Sequence, residues 1–214
     1  MNLTVPGDPS SAAFLLAAAL IVPDSEVTVR NVCTNPTRTG FLEIIAAMGG
    51  DITVRSRGEA GGEPVADITA RTSTLRGIEV PPALVPSSID EFPILAALAL
   101  FADGRTTFTG AGELRVKESD RISTMAAELT RLGGKVQERE DGLEIEGGRP
   151  PAGGRCRSHG DHRVAMAAAV AGCAAGGEVT VEGWDSVKTS FPGFLRKFND
   201  LGGKMQTLPT GESV

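Results

Sequence analysis

A dense group of charged side chains occupies Arg115–Arg121, with the sequence Arg-Val-Lys-Glu-Ser-Asp-Arg. Lys117 and Arg121 are four residues apart, so on a helix they would share one face, where like charges repel. Glu118 could pair with Arg121 across three positions. A bound phosphate or carboxylate at a helix N-terminus could also neutralise the cations. The spacing alone therefore permits either a solvated first helical turn or an anion-binding site.

A second candidate group contains both histidines of the chain, His159 and His162, followed by Arg163. Together with Cys156 the histidines fall at i, i+3 and i+6. No fourth ligand and no CxxC spacing accompany them, so no metal site is predicted. The pattern fits a loop that caps the next helix, and it also fits a His-Arg pair directed at an anion from a helix start.

A purely structural role, such as helix capping, would explain the features of the other charged residues. Asp90 is followed by Pro93 and an apolar run, which is typical of a helix N-cap. Lys188, Arg38 and Asp8 show nothing by themselves beyond what surface or capping residues show. Their importance therefore depends on the elements that carry them.

Those elements repeat three times along the chain. An amphipathic helical pattern ends at a Gly-Gly pair in each repeat, where glycine is a common C-terminal signal; the pairs follow Met48, Leu132 and Leu201. Upstream of each lies an alanine-rich pattern that is apolar nearly all round and predicts a buried helix, at residues 10–21, 91–102 and 162–175. Possible N-caps stand at the starts of these helices: Asp8, Asp90 and Asp161.

Strand patterns complete each repeat. Between the two helices they cover Glu26–Val32, Thr106–Gly110 and Glu178–Glu182. After the glycine pair the first two repeats predict a hairpin, which turns between Arg57 and Glu63 and at Asp141-Gly142, and the third ends at a strand Lys204–Thr207. Each repeat thus reads β-α-β-α-β-β, with approximate limits of 1–75, 76–150 and 151–214. We predict one pseudo-threefold α/β domain with buried helices inside and sheets outside.

Composition restricts the functional class. The chain has 214 residues, 41% of them hydrophobic, and a net charge of −6. The negative charge argues against a broad nucleic-acid or membrane surface but permits a local cationic pocket. Three cysteines without CxxC spacing favour free thiols in a reducing compartment, so we expect a cytoplasmic protein. No apolar run reaches the ~20 residues of a membrane span.

Several segments together resemble the 5-enolpyruvylshikimate-3-phosphate synthase family. They follow the family's order along nearly the whole chain: VPGDPSSAA at Val5–Ala13, Ser88–Asp90, RVKESDR at Arg115–Arg121, GDHR at Gly160–Arg163 and VKTSFP at Val187–Pro192. The resemblance implies the fold of the enolpyruvyl transferases, in which each of two domains has three β-α-β-α-β-β units. This chain is similar to the carboxy-terminal half. The amino-terminal half, with its glycine-rich lysine-and-arginine loop, has no counterpart here, so we expect Met1 to begin an excised domain or a fragment.

The resemblance also implies a reaction. Enzymes of this family transfer the carboxyvinyl group of phosphoenolpyruvate to the 5-hydroxyl of shikimate 3-phosphate and release phosphate, in aromatic amino-acid biosynthesis. Neither a metal nor an organic cofactor is expected. The expected partners are the two substrates and the missing amino-terminal domain, with no nucleic acid and no membrane.

The matching positions assign roles to individual residues. Asp90 would accept the proton of the 5-hydroxyl, and Glu118 would carry protons to and from the methylene carbon. The substrate-binding residues would be Lys117, Arg121, His162, Arg163 and Lys188. Glu113 stands where some members have an asparagine that contacts the shikimate, so that contact is not assigned.

Two other functions fit the same scaffold. An enolpyruvyl transferase acting on UDP-N-acetylglucosamine would share the fold, but that type lacks RVKESDR and relies on a reactive cysteine in a mobile loop, a pattern absent around Cys33, Cys156 and Cys173. A binding or assembly module would use the scaffold without chemistry. Under the synthase interpretation the isolated chain is expected to have negligible turnover, because catalysis needs substrate held between two domains.

Overall fold

The computed structural model describes residues 4–208, which contain six α-helices and eight β-strands. The helices are α1 Pro9–Ile21, α2 Gly40–Ala47, α3 Phe92–Ala99, α4 Arg121–Arg131, α5 His162–Gly172 and α6 Phe194–Asp200. The strands are β1 Glu26–Cys33, β2 Asp51–Ala60, β3 Glu63–Arg71, β4 Arg105–Phe108, β5 Lys135–Arg139, β6 Gly142–Glu146, β7 Gly154–Arg157 and β8 Val179–Glu182. Short 3₁₀ helices join them at Pro36–Arg38, Pro82–Leu84, Pro86–Glu91, Gly112–Val116 and Trp184–Thr189.

The alanine-rich helices α1, α3 and α5 contact one another in the centre of the molecule. Nearly all of α1 and every residue of α3 are buried, as expected for helices that are apolar on all sides. Three sheets lie outside them, with strand orders β1-β3-β2, β4-β6-β5 and β7-β8. The predicted α/β class, with apolar helices inside and sheets outside, is confirmed.

Two of the three predicted N-caps are confirmed. Asp8 accepts hydrogen bonds from the backbone of Ser10 and Ser11 at the start of α1, and Asp161 accepts one from Arg163 N at 2.9 Å in α5. The prediction for Asp90 is wrong. The 3₁₀ helix Pro86–Glu91 leads directly into α3, so the cap position falls one residue later and the Asp90 side chain is left for other contacts.

Both predicted hairpins are present. β2 turns into β3 through Gly61 and Gly62, which have positive φ angles of 62° and 84°, as a type I′ turn requires. The second turn consists of Glu140 and Asp141, one residue earlier than predicted, because Gly142 already belongs to β6. A β-carbon at Gly142 would overlap the carbonyl oxygen of Phe108, so glycine is needed there for the close approach of β4 and β6.

The repeats are less complete than predicted. The first strand of a repeat is a full strand only in the third, where β7 pairs in parallel with β8; the first two repeats have isolated parallel bridges, such as Gly7 with Val32 and Glu79 with Thr107. The predicted strand Lys204–Thr207 is wrong, since residues 203–208 have no regular structure. A strand there would have no hairpin partner, and the Asn199 amide bonds instead to the backbone of Met205.

The amphipathic helices α2, α4 and α6 end where the Gly-Gly pairs predicted. Phe191, which the helical pattern included, precedes α6, because α6 begins at Phe194 after Gly193 in a left-handed conformation. Within residues 4–208 no helix is long and apolar enough to cross a membrane. The division into three repeats near residues 75 and 150 stays a prediction.

Candidate active site

Three arginines from three different parts of the chain surround the carboxylate of Asp90. Arg121, the first residue of α4, places Nη1 3.7 Å from Asp90 Oδ1. Arg163 in the first turn of α5 and Arg38 at the end of a 3₁₀ helix place their Nη2 atoms 3.5 Å and 3.7 Å from Oδ2. The carboxylate of Asp90 is partly exposed and accepts no hydrogen bond from the described residues. Its oxygens are therefore free to receive a ligand hydroxyl among cations.

Arg121 is a charged side chain in the protein interior, with only 1% of it exposed. Its Nε donates a hydrogen bond to Asp161 Oδ2 at 2.8 Å, and its Nη2 donates one to Glu118 Oε2 at 2.6 Å. Asp161 is itself fully buried and also accepts a hydrogen bond from Ser119 Oγ at 3.1 Å. Burial of a guanidinium is tolerated only when carboxylates compensate its charge, and here two of them do.

Only the last two residues of the motif Arg115–Arg121, Asp120 and Arg121, belong to the start of a helix. Asp120 caps α4 by accepting from Ile122 N at 3.1 Å and Ser123 N at 3.0 Å, and Lys117 lies before that cap in non-helical backbone. Lys117 and Arg121 therefore do not share a helical face. The pairing of Glu118 with Arg121 is found, with Arg121 Nη2 at 2.6 Å from Glu118 Oε2.

Arg163 connects this group to the centre of the molecule. Its Nη1 donates a hydrogen bond to the Asp90 carbonyl oxygen at 2.8 Å and lies 3.8 Å from Glu91 Oε1. Glu91 in turn accepts a hydrogen bond from Ser10 Oγ, which itself accepts one from Arg38 Nη2 at 3.0 Å. We call this connected group the Asp90 cluster; it comprises Ser10, Arg38, Asp90, Glu91, Glu118, Arg121, Asp161 and Arg163.

Environment shifts the proton affinity of three groups in or beside the cluster. Burial raises the pKa of Glu91, and the Ser10 hydrogen bond and the Arg163 charge offset only part of that rise. Burial would also raise the pKa of Asp161, but the hydrogen bond and charge of Arg121 hold it below its usual value. Burial and then the charge of Arg163 lower the pKa of His162, which favours a neutral imidazole at pH 7.

Lys117 and Lys188 make no ion pair or side-chain hydrogen bond with the cluster among the described residues. Lys117 Nζ pairs with Glu113 Oε1 at 2.5 Å, and Lys188 Nζ pairs with Asp185 Oδ1 at 2.6 Å. Lys188 and both of the acidic partners are largely exposed. His162 is half-buried beside Arg163 and makes no hydrogen bond with the described residues. The structure thus brings together four of the seven predicted site residues: Asp90, Glu118, Arg121 and Arg163.

Some members of the cluster were not singled out from the sequence. Arg38 had no feature in the sequence beyond those of a surface residue, so no sequence signal pointed to it. Asp161 belongs to the GDHR segment and was read only as a cap. Glu91 carried a weaker signal, a charged residue within an apolar run beside Asp90.

The second histidine has a different environment. His159 Nε2 lies 2.8 Å from Oε1 of the buried Glu128, whose other oxygen accepts a hydrogen bond from Arg157 N at 2.9 Å. Cys156 is buried. No group of three histidine, cysteine or acidic residues with the geometry of a metal site occurs within residues 4–208.

The two buried carboxyls of the cluster should affect stability with opposite pH dependence. The folded-state pKa of Glu91 is above its ordinary value of 4.5, so the stability it contributes is present below that value and lost as pH rises. The folded-state pKa of Asp161 is below 3.8, so its contribution is present above that value and lost as pH falls. Relative to wild type, Glu91→Gln should therefore gain stability from pH 3 to pH 7, and Asp161→Asn should lose it.

Urea unfolding of the wild type and the two variants at pH 3, 5 and 7 measures these differences. Both substitutions keep the side-chain shape, so each variant serves as the control for the other. The same sign of pH dependence in both variants would contradict the environments described above.

Comparison with known proteins gives consistent similarities. A family model described as EPSP synthase (3-phosphoshikimate 1-carboxyvinyltransferase) matches residues 1–198. The 3-phosphoshikimate 1-carboxyvinyltransferase of Sphingopyxis alaskensis is 55% identical over 195 residues, which are 90% of this chain and 44% of that protein. The enzyme of the same name from Halorhodospira halophila is 56% identical over 94% of this chain and 45% of its own length. The chain thus spans about half the length of the curated relatives it matches.

Solved structures agree with these similarities. EPSP synthase from Acinetobacter baumannii superposes with a TM-score of 0.90 at 47% identity, over 94% of this chain and 47% of that one. The enolpyruvyl transferase NikO from Streptomyces tendae superposes with a TM-score of 0.67 at 21% identity, over 90% of this chain and 42% of that one. The second likeness concerns the fold alone.

Proposed function

The chain belongs to the EPSP synthase family, and from this premise we propose that it forms half of an enzyme that joins phosphoenolpyruvate to shikimate 3-phosphate. The observation that carries the proposal is the Asp90 carboxylate, which has three guanidinium groups within 3.7 Å and both of its oxygens free of hydrogen bonds from the described residues. Such a group can accept a proton from a hydroxyl while nearby cations hold an anionic co-substrate.

In the proposed reaction Asp90 removes the proton of the 5-hydroxyl. The hydroxyl oxygen then forms a bond to C2 of phosphoenolpyruvate, and the methylene carbon takes up a proton. Loss of a proton from that carbon restores the double bond and expels phosphate. The net result is one carboxyvinyl ether and one phosphate.

Glu118 is the proposed proton carrier at the methylene carbon. Its side chain is half exposed, and the hydrogen bond from Arg121 at 2.6 Å fixes one oxygen, Oε2. The other oxygen makes no hydrogen bond with the described residues. A carboxyl that is held at one oxygen and free at the other suits proton transfer to a bound ligand.

Anion binding is proposed for Arg121 and Arg163, with His162, Lys117 and Lys188 at the edge of the site. The two lysines are paired now, but exposed ion pairs contribute only about 0.2–1 kcal/mol, so a bound phosphate or carboxylate can recruit them at little cost. The Asp90 cluster itself contains three arginines and four carboxylates and has no excess of positive charge. The proposed substrates carry several negative charges, so cations from the rest of the enzyme are needed as well.

Cys156 and Cys173 do not fit the reactive cysteine of the enolpyruvyl transferase that uses UDP-N-acetylglucosamine. Burial raises the pKa of Cys156 to about 12 and that of Cys173 to about 11, so neither is a thiolate at neutral pH. The family match covers the RVKESDR segment, which that type of transferase lacks. A module without chemistry would not need a carboxylate kept open among three arginines.

Phosphate release from phosphoenolpyruvate and shikimate 3-phosphate tests the proposal. We expect turnover by the full-length protein that carries this chain and none above background by the 214-residue chain alone. The chain lacks excess positive charge at its site and spans about half the length of its relatives, so we expect the other half of the enzyme to be needed to enclose both substrates. A matched control replaces shikimate 3-phosphate with shikimate. No turnover by the full-length protein would overturn the proposed function, and turnover by the chain alone would overturn the need for a second half.

A further inference from the structure

Glu91 is a buried acid without an evident role in holding the fold together. Only 1% of the residue is exposed, and Oε2 has no hydrogen-bond partner among the described residues. Glu91 stands at the N-cap position of α3, where an acidic side chain usually accepts a hydrogen bond from the helix backbone, but it makes no such bond. Its carboxylate points instead to other side chains.

Those side chains lead to the arginines of the Asp90 cluster by two routes. On one side, Glu91 Oε1 accepts the hydroxyl hydrogen of Ser10 at 2.5 Å, and Ser10 Oγ accepts a hydrogen bond from Arg38. On the other side, Glu91 Oε1 lies 3.8 Å from Arg163 Nη1. Arg38 and Arg163 are the two arginines that approach the same oxygen of Asp90, Oδ2. Glu91 Oε1 is therefore linked to both arginines that approach Asp90 Oδ2. It is linked to Arg163 directly and to Arg38 through the Ser10 hydroxyl.

A carboxylate at this position is costly, which argues for a function. Burial of a charge with only one hydrogen bond opposes folding, and burial raises the pKa of Glu91 accordingly. A neutral glutamine could accept the Ser10 hydrogen bond equally well. What glutamine could not supply is attraction to the guanidinium of Arg163, so the charge matters for the placement of that arginine.

We propose that Glu91 is a positioning residue that acts through Arg163 and Ser10, keeping the guanidinium groups of Arg163 and Arg38 beside Asp90, so that Arg163 is in place to bind an anionic substrate. This inference rests on the proposed function, which assigns anion binding to Arg163. Glu91 does not touch substrate. Its effect is to reduce the number of orientations that the Arg163 guanidinium adopts before phosphoenolpyruvate arrives, which lowers the entropic cost of binding.

Steady-state kinetics of the full-length protein with Glu91→Gln tests this role. We expect the KM for phosphoenolpyruvate to rise about tenfold, with the KM for shikimate 3-phosphate changed less than about twofold. The control is Asp67→Asn, a second buried acid, which accepts hydrogen bonds from Arg57 and the Asn31 backbone in the first sheet and from no member of the cluster. We expect that control to lower the melting temperature and to leave both KM values unchanged.

A wild-type KM for phosphoenolpyruvate in folded Glu91→Gln would overturn the inference. An equal rise in both KM values would also overturn it, because a general disturbance of the fold has no preference for one substrate. If Glu91→Gln does not fold, the variant Ser10→Ala tests the inference instead. That variant removes the hydroxyl between Glu91 and Arg38, and a wild-type KM for phosphoenolpyruvate in it would count against the positioning role.

The kinetic results distinguish an error in this inference from an error in the proposed function. If the wild-type protein does not convert the two substrates, the proposed function is wrong. If the wild type converts them and Glu91→Gln behaves like it, only the role of Glu91 is wrong.

Discussion

Replacing Arg121 with alanine is expected to lower the free energy of unfolding by about 3–5 kcal/mol, because it leaves buried carboxylates without their cation. Asp161 is fully buried and receives the Nε–H of Arg121 at 2.8 Å, and Glu118 receives Nη2 at 2.6 Å. The serine and backbone donors that remain at Asp161 are neutral. Urea unfolding at pH 7 measures the loss.

The matched control for this prediction lies on the same helix. Arg131, in the last turn of α4, is half exposed and pairs with Glu128 at 3.6 Å. Arg131→Ala should change the free energy of unfolding by no more than about 1 kcal/mol, because Arg131 is half exposed and the buried Glu128 keeps its contacts with His159 and the Arg157 backbone. If the two variants lose similar amounts, the buried network around Arg121 does not stabilise the fold as described.

A further measurement separates loss of charge compensation from loss of packing. Protonation of Asp161 removes the uncompensated charge, so the loss in Arg121→Ala should shrink when pH is lowered from 7 to 3. A cavity effect from the missing side chain would not depend on pH. A constant difference over this range would therefore assign the loss to packing.

Replacing Asp90 with asparagine in the full-length protein is expected to lower kcat by about 10²- to 10⁴-fold, the range typical for removal of a general acid or base. Asparagine has nearly the same shape and still offers an oxygen to a substrate hydroxyl, but it does not accept the proton. The backbone contact from Arg163 to the Asp90 carbonyl does not involve the side chain and should persist. We therefore expect KM values to change much less than kcat.

Rates of phosphate release under saturating substrate measure this effect. Asp51→Asn is a suitable control, since Asp51 is an exposed acid paired with Arg71 in the first sheet. Its kcat should match the wild type. A kcat within about twofold of wild type in Asp90→Asn would mean that another group accepts the proton.

Local sequence signals predicted most of the elements, because the interactions that define them are short-range. The apolar stripe of α4, the Gly-Gly pair that ends it and the caps Asp8 and Asp161 all depend on residues within a few positions of one another. The predictions for Asp90 and for the second hairpin turn were wrong because tertiary contacts overrode the local sequence pattern. Asp90 fits an N-cap pattern but faces three arginines, and Gly142 moves the hairpin turn because a neighbouring strand passes close to it.

For part of the site, the motif resemblance predicted functional residues that the local patterns did not. It named Asp90, Glu118, Arg121 and Arg163, which the structure places in one cluster. It also named Lys117, His162 and Lys188, whose roles stay predictions, because the two lysines are paired outside the cluster and His162 makes no hydrogen bond with the described residues. Arg38 and Glu91 were not named, since neither stands out by type and spacing.

By itself the sequence determined the helices, most of the strands, the α/β class and the family, because these follow from periodicity, capping and motif order. The tertiary structure alone decided which charges meet. Arg163 reaches Asp90 across 73 positions and Arg121 reaches Asp161 across 40. Electrostatic energy depends on distance in space and on burial, and neither is a property of sequence spacing. For that reason Arg115–Arg121, which could equally have been a solvated helix start, contributes an arginine that is buried and held between two carboxylates.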